Sequence, residues 1–513
     1  MKKHIFLGIV FVLFCLEGKS QYYSTQLDYD GTSEYGSQVV IVDDGFLLLN
    51  SSICGADLKE CAGLFKTNFG GEILWKKEID SLDVFSFESI LKDGEDFFII
   101  NAPPVSEGQL DENIFLQKFN KDGELQGEWT YGGNEIEEYP TAIAKLNNYI
   151  LIVEKYTEVS TGRRVGCLLF IDDETFTVER KIPFNDDFSD FVTKHLLVDS
   201  EGNILLPFLG LYNTFLTGQL IKYDSTGMKL WETTLNVNDD IWGVSIDAVE
   251  LQNGNYAVGW YYPGGLNEPS PPIVYGLNSS GDILWQRPFP DTIGRKNIDE
   301  LSSTQNGDII GVGMDLYIGG DYDDFSGSGG WIFRLSQEGN VLWERTIVDL
   351  TLRDYVPLGQ FLLDGAEMDN GDLVFTGLTH DTFPNGEPFF LNPDTWLLRL
   401  DSEGCLVPDC GNLQVIIGDS VYTDIKEIPI FENDLRVSLF PNPAVNNLII
   451  DVQGDFNFDK NEGAGIAIYD IQGRLVLFKK TTFFPKEIEV SNLADGLYFV
   501  SIDGHFVERF IKQ

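Results

Sequence analysis

The stretch Tyr223–Leu235, "YDSTGMKLWETTL", reads as a strand, a tight turn and a second strand, with a tryptophan four residues after the glycine. Asp224 opens the turn, where a short polar side chain accepts a backbone hydrogen bond. Gly227 ends it, where positive φ carries no steric cost. The same arrangement returns along the chain: the turn glycine stands at Gly71, Gly123, Gly227, Gly281, Gly339 and Gly404, with Thr175 in the third slot, at steps of 52, 52, 52, 54, 58 and 65 residues. Trp75, Trp231, Trp285 and Trp343 follow four residues on, whereas the second repeat delays its Trp129 and the third has Glu179.

A second family of turns interleaves with the first, at Gly45, Gly94, Gly202, Gly254, Gly307 and Gly371, with Asn148 in the third slot. Runs of alternating or wholly apolar residues flank both families, as in "SQVVIVDDGFLLLNS" and "GNYAVGWYY", and these have strand length and β-branched or aromatic content. Each period therefore supplies four antiparallel strands, A to D. The first turn joins A to B and the tryptophan turn joins C to D. A lone four-stranded sheet cannot bury both faces, so seven such units at periods of 50 to 60 residues predict an all-β, seven-bladed β-propeller over residues 21–411. The tryptophans are expected to wedge neighbouring blades apart and fill the widening gap between them.

"YDSTGMKLW" and "LNSSGDILW" resemble the tryptophan-bearing repeats of quinoprotein-type propellers, a likeness of fold. No vicinal cysteine pair or metal-ligand group accompanies it, so no quinone cofactor is expected. The seventh period ends at "LDSEGCLVPDCG", where Pro408 leaves little room for a D strand. Tyr22–Leu27, "YYSTQL", has no partner in its own period and is expected to fill that edge.

After an expected linker, 412–435, come four blocks: "RVSLFPNPAVNNLIIDV", "IAIYDIQGRLV", "VSNLADGLYFVSI" and "ERFIK". The first is a rigid turn entry, and the next two carry hairpin turns into alternating strands. In this order at the C-terminus they resemble the type A sorting domain of the type IX secretion system, a small β-sandwich on exported proteins of Bacteroidetes-like bacteria. The resemblance places that domain at 436–513 and puts its marks on Pro441, Asn442 and Pro443, on Tyr469, Asp470 and Gly473, on Gly496 and Tyr498, and on Lys512. It implies the type IX machinery as a partner and a secreted or outer-surface address reached through the periplasm.

The N-terminus agrees with export. Lys2 and Lys3 precede an apolar run from Ile5 to Leu16, too short to span a bilayer comfortably, so residues 1–20 read as a signal peptide. No other segment reads as transmembrane. Export permits disulfides, and Cys54 with Cys61, and Cys405 with Cys410, each fall within a short loop; Cys167, in an apolar run, reads as a buried thiol. With 81 acidic against 35 basic residues the formal charge is -46, which argues against a nucleic-acid partner. Charged residues are only 23% and aromatics reach 13%, so the chain has ample core material.

Insertions between strands B and C fall at the same place in each repeat and gather on one face. Tyr261, Tyr262, Phe389 and Phe390 lie in them and form an expected glycan- or protein-binding rim, and Asp321, Asp323 and Asp324 a weak calcium loop. Two function classes stay open: a noncatalytic propeller that binds glycan or protein, and a hydrolase or lyase that works with paired carboxylates on polysaccharide. A cluster of carboxylates at the channel mouth would favour the enzyme.

Overall fold

The computed structural model describes residues 22–512 except 28–33, 55–58, 80–89, 102–112, 133–135, 159–162, 185–189, 213–214, 239–244, 262–270, 290–295, 319–324, 350, 352–357, 382–390, 418–419, 424–435, 454–463, 471–474, 495 and 503–504. The signal-peptide segment lies outside these residues. Among the described residues the chain is all-β, with repeated four-stranded antiparallel sheets that fit a propeller.

In chain order the sheets span 34–79, 90–131, 136–183, 190–238, 245–288, 300–349 and 358–400, and within the first six the strands pair in sequence from A to D. Apolar residues alternate so that both faces of a sheet are used. Leu47, Leu49 and Leu64 of the first sheet pack on Phe97, Ile99 and Phe119 of the second. Phe46, Leu48 and Phe65, which face the other way, pack on Leu27, Val374 and Leu397 of the seventh. The core is thus a series of layers between consecutive sheets, and one of them joins the last sheet to the first.

The seventh sheet has strands A to C from 358–400, and its fourth is the strand Tyr23–Leu27, antiparallel to Leu391–Leu400 with Tyr23 opposite Arg399 and Leu27 opposite Thr395. The chain instead leaves that sheet through the Cys405–Cys410 disulfide. It then departs from the expected linker: Leu413–Ile417 adds to the sixth sheet, parallel to its D strand Val341–Asp349, and Ser420–Thr423 pairs beyond it. The side-chain amide of buried Gln414 fastens this return, accepting from Leu406 N at 2.8 Å and donating to Gly404 O at 2.7 Å.

A recurring contact locks the layers. A Cβ on Gly123, at φ 74°, would lie 2.8 Å from the Trp75 indole of the preceding sheet. Trp231 meets Gly281, Trp285 meets Gly339 and Trp343 meets Gly404 in the same way, and Tyr23 meets Gly71. Two of the indoles also donate across the gap, Trp231 to Ser279 O at 3.0 Å and Trp285 to Gln337 O at 3.1 Å. The third sheet lacks both turn glycines. Asn147 and Phe176 take positive φ there, each one residue from the expected Asn148 and Thr175. Positive φ is costly for phenylalanine, and the Phe176 ring is held by stacking on Trp129 with centroids 3.6 Å apart.

A second repeated device joins a base on strand C to an acid at the A–B turn of the same sheet: Lys66 to Asp44, Lys118 to Asp96, Lys222 to Asp199, Arg334 to Asp308 and Arg399 to Asp372, at 2.6 to 2.9 Å. The tail forms two further sheets, one of three strands and one of four, over a core that includes Leu448, Ile450, Ile466, Ile468, Val500 and Phe510.

Candidate functional site

Two places gather residues of functional interest. The first is the tail, where the "FPNP" corner follows the strand Arg436–Phe440. Both X-Pro bonds of that corner, Phe440–Pro441 and Asn442–Pro443, are cis. The Asn442 side chain grips the closing strand His505–Lys512 as an extra ladder rung, accepting from Ile511 N at 2.9 Å and donating to Arg509 O at 3.2 Å. Ala444 N then donates to Ile511 O at 2.7 Å. Gly496 lies opposite buried Lys512 at the start of Gly496–Ile502, and Asp470 lies opposite Tyr498. The Tyr498 ring stacks on Phe510 and its hydroxyl donates to Ala494 O at 2.8 Å. Pro441, Asn442, Pro443, Gly496 and Lys512 therefore meet at one end of the tail, with Tyr469, Asp470 and Tyr498 on adjoining strands. Gly473 lies outside the described residues.

The second place lies between the A strands of the sheets, and the sequence did not reveal it. Strand A of the fourth sheet breaks between Asp190–Val192 and Leu197–Val198, and the break brings Lys194 and His195 inward. His195 Nδ1 lies 2.9 Å from Asp247 Oδ1 of the fifth sheet, and Lys194 Nζ 3.6 Å from Asp299 Oδ1 beside the sixth. Asp247 Oδ2 accepts from Leu301 N at 2.5 Å, and Asp364 Oδ2 of the seventh sheet accepts from Val39 N of the first at 2.6 Å. Glu300 hydrogen-bonds Asp364.

Burial pushes the Asp364 carboxyl above the ordinary range, against the bonds from Glu300 and from the Val39 and Gly365 amides. Burial likewise pushes Asp299 up, opposed by the Lys194 charge and by bonds from Asn297 and Lys194. The space that these groups enclose with Ser37 and Leu363 is about 20 Å³, room for a single water.

The remaining expected sites divide simply. Cys405 and Cys410 are bonded, and Cys167 is a buried free thiol. Cys54 and Cys61 stand on paired strands rather than in a loop, opposite Lys59 and Ser52, with side chains outside those described. Tyr261 ends a strand opposite Ser245, its side chain again outside those described. Tyr262, Phe389, Phe390, Asp321, Asp323 and Asp324 lie outside the described residues.

Among solved structures, the chain is similar to BBS1N in a complex with ARL6DN (TM-score 0.38, 9% identity, covering 76% of this chain and all of that one). It is similar to the acylaminoacyl peptidase of Pyrococcus horikoshii (0.41, 10%, 83% of this chain and 59% of that one) and to the polysaccharide lyase Uly1 (0.38, 10%, 74% and 88%). No curated protein matches the chain. No helix among the described residues is long and apolar enough to cross a membrane. Residues 438–512 match the secretion system C-terminal sorting domain, and this tail marks the chain for export by type IX secretion to the cell surface or the extracellular space.

Proposed function

We propose that the exported body is a closed, seven-bladed propeller that works as a noncatalytic glycan- or protein-binding module, with the type IX machinery as its partner in transit. Closure is supported by the pairing of Tyr23–Leu27 with Leu391–Leu400 and by the core between the seventh and first sheets. Trp75, Trp231, Trp285 and Trp343 serve as its blade wedges. The observation that carries the noncatalytic reading is the use made of the inner acids. Asp247 and Asp364 both accept from backbone amides of the next sheet, and the space beside them, about 20 Å³, is the size of a water and too small for a sugar. Ligand recognition is then left to the B–C insertions, with Tyr261, Tyr262, Phe389 and Phe390 as the rim.

A glycan array followed by a protein pull-down, both on the mature chain, tests this reading. Saturable binding that weakens at least tenfold when the four rim aromatics become alanine is the expected result. One observation favours a hydrolase or lyase instead: His195 and Lys194 beside Asp247 and Asp299 supply a base and a cation next to carboxylates. Polysaccharide turnover that disappears in Asp247→Asn or Glu300→Gln variants of unchanged fold would establish that alternative.

A further inference from the structure

Two of the sheet interfaces carry an equivalent buried lysine with different partners. Between the fourth and fifth sheets, Lys222 is buried with two partners: its Nζ lies 2.9 Å from Asp199 Oδ2 and 2.7 Å from the Tyr256 hydroxyl, which itself donates to Asp199 Oδ2 at 2.8 Å. The register maps this triad onto the interface between the first and second sheets. Lys222 opposes Trp231 as Lys66 opposes Trp75, so the two lysines are equivalent. Tyr256 lies opposite Leu277 as Phe97 lies opposite Phe119, and Asp199 follows Val198 where Val42 follows Ile41. The lysine is kept, while its buried acid has become valine and its phenol has become phenylalanine.

Lys66 is nevertheless as buried as Lys222, at 4% exposure against 3%. Its ammonium reaches outward to Asp44, whose side chain is 64% exposed, and touches Lys121 O at 3.5 Å. Beside Lys66, between the first and second sheets, lies a cleft of about 180 Å³. Val42, Leu47 and Phe97 line its apolar side, and Lys66, Lys92 and Lys121 stand round it. Of the other acids at its edge, Asp43 is exposed, Asp96 is held by Lys118 at 2.9 Å, and Glu95 is 74% exposed beside Lys121.

We propose that this cleft binds a small amphipathic carboxylate, with its apolar body on Val42, Leu47 and Phe97 and its carboxylate on the Lys66 ammonium. A charge-assisted bond to a buried ammonium outranks one to an exposed and screened acid. The size suits one aromatic ring, since an engineered apolar cavity of about 150 Å³ holds benzene. The site lies at the A–B turns, on the opposite edge of the sheets from the B–C insertions, so it is separate from the rim.

The test uses the mature chain at 150 mM salt, roughly physiological ionic strength, where the long-range repulsion from the acidic surface is damped. Titration calorimetry with benzoate and phenylacetate should give saturable one-site binding, with benzylammonium at least tenfold weaker. Lys66→Met should weaken benzoate at least tenfold. The double variant Val42→Asp with Phe97→Tyr, which copies the Asp199 and Tyr256 arrangement into the cleft, should abolish benzoate binding while keeping the melting temperature. If Lys66→Met does not fold, Lys92→Met with Lys121→Met carries the same expectation of weaker binding. Absence of saturable carboxylate binding up to high millimolar concentration, equal binding of benzylammonium, or benzoate affinity unchanged in these variants overturns the proposal.

Discussion

The turn glycines are not interchangeable, because two separate constraints act on them. Gly94 and Gly123 both have positive φ, at 67° and 74°, but nothing lies within 4 Å of a Cβ on Gly94, whereas one on Gly123 would press on the Trp75 indole. Gly94→Ala should therefore cost only the backbone term of roughly 1–2 kcal/mol. Gly123→Ala should cost more by the displacement of Trp75, typically a further 1–3 kcal/mol for overpacking. Denaturant melts of the two variants check the order. A second residue-scale prediction concerns the triad of Lys222, Asp199 and Tyr256. Lys222→Met leaves Asp199 buried without its cation and should destabilise by about 3–5 kcal/mol, the range for breaking a buried pair. Burial acts against the charged form of Asp199, but bonds from Asn203, Lys222 and Tyr256 outweigh it and hold its pKa below the ordinary value. Its contribution is therefore full above the unfolded value of about 3.9 and is lost as pH falls through the lower folded value. Asp299 and Asp364 have the opposite sign: raised by burial, they cost stability at neutral pH and release that cost as pH falls through their folded values. Asp199→Asn should flatten the acid limb of a stability–pH curve, and Asp364→Asn should flatten the limb at higher pH.

At the scale of elements, Tyr23–Leu27 is the most informative strand. Ser24 Oγ accepts from Trp396 Nε1 at 2.8 Å and donates to Asp349 of the sixth sheet, while Tyr23 covers Gly71 of the first. Starting the mature chain at residue 28 removes all of these contacts and bares the edge of Leu391–Leu400. Because neighbouring repeats stabilise one another, the melting temperature of the whole array should fall, by several degrees or more. An unchanged scanning-calorimetry transition would show that the strand closes nothing. This strand was legible from sequence because a period short of one strand and a spare strand at the other end match by simple counting. The turn families were legible for a similar reason: local sequence chooses a tight turn. The break around Lys194 and His195 was hidden, since no local signal marks the interruption of a short inner strand. So was the parallel addition of Leu413–Ile417, because the apolar run "LQVII" does not name its partner. The inner acids were beyond reach altogether. Asp247, Asp299, Glu300 and Asp364 become neighbours only when three sheets pack, and among 81 acidic residues no spacing singles them out.

For the molecule as a whole, the tail has a core of its own, drawn only from residues after the array, and the array has its own layers and edge strand. The two parts should therefore be separable, the array folding without the tail and the tail supplying the address. The acidic charge fits a protein that must stay soluble through the periplasm and beyond. The most direct test compares the full chain with one ending at residue 435, each expressed in a host that has type IX secretion and followed by cell fractionation. The full chain should appear on the surface or in the medium, while the shortened chain should remain in the periplasm with an unchanged array melting transition. Arrival of the shortened chain in the medium at full yield would contradict the account.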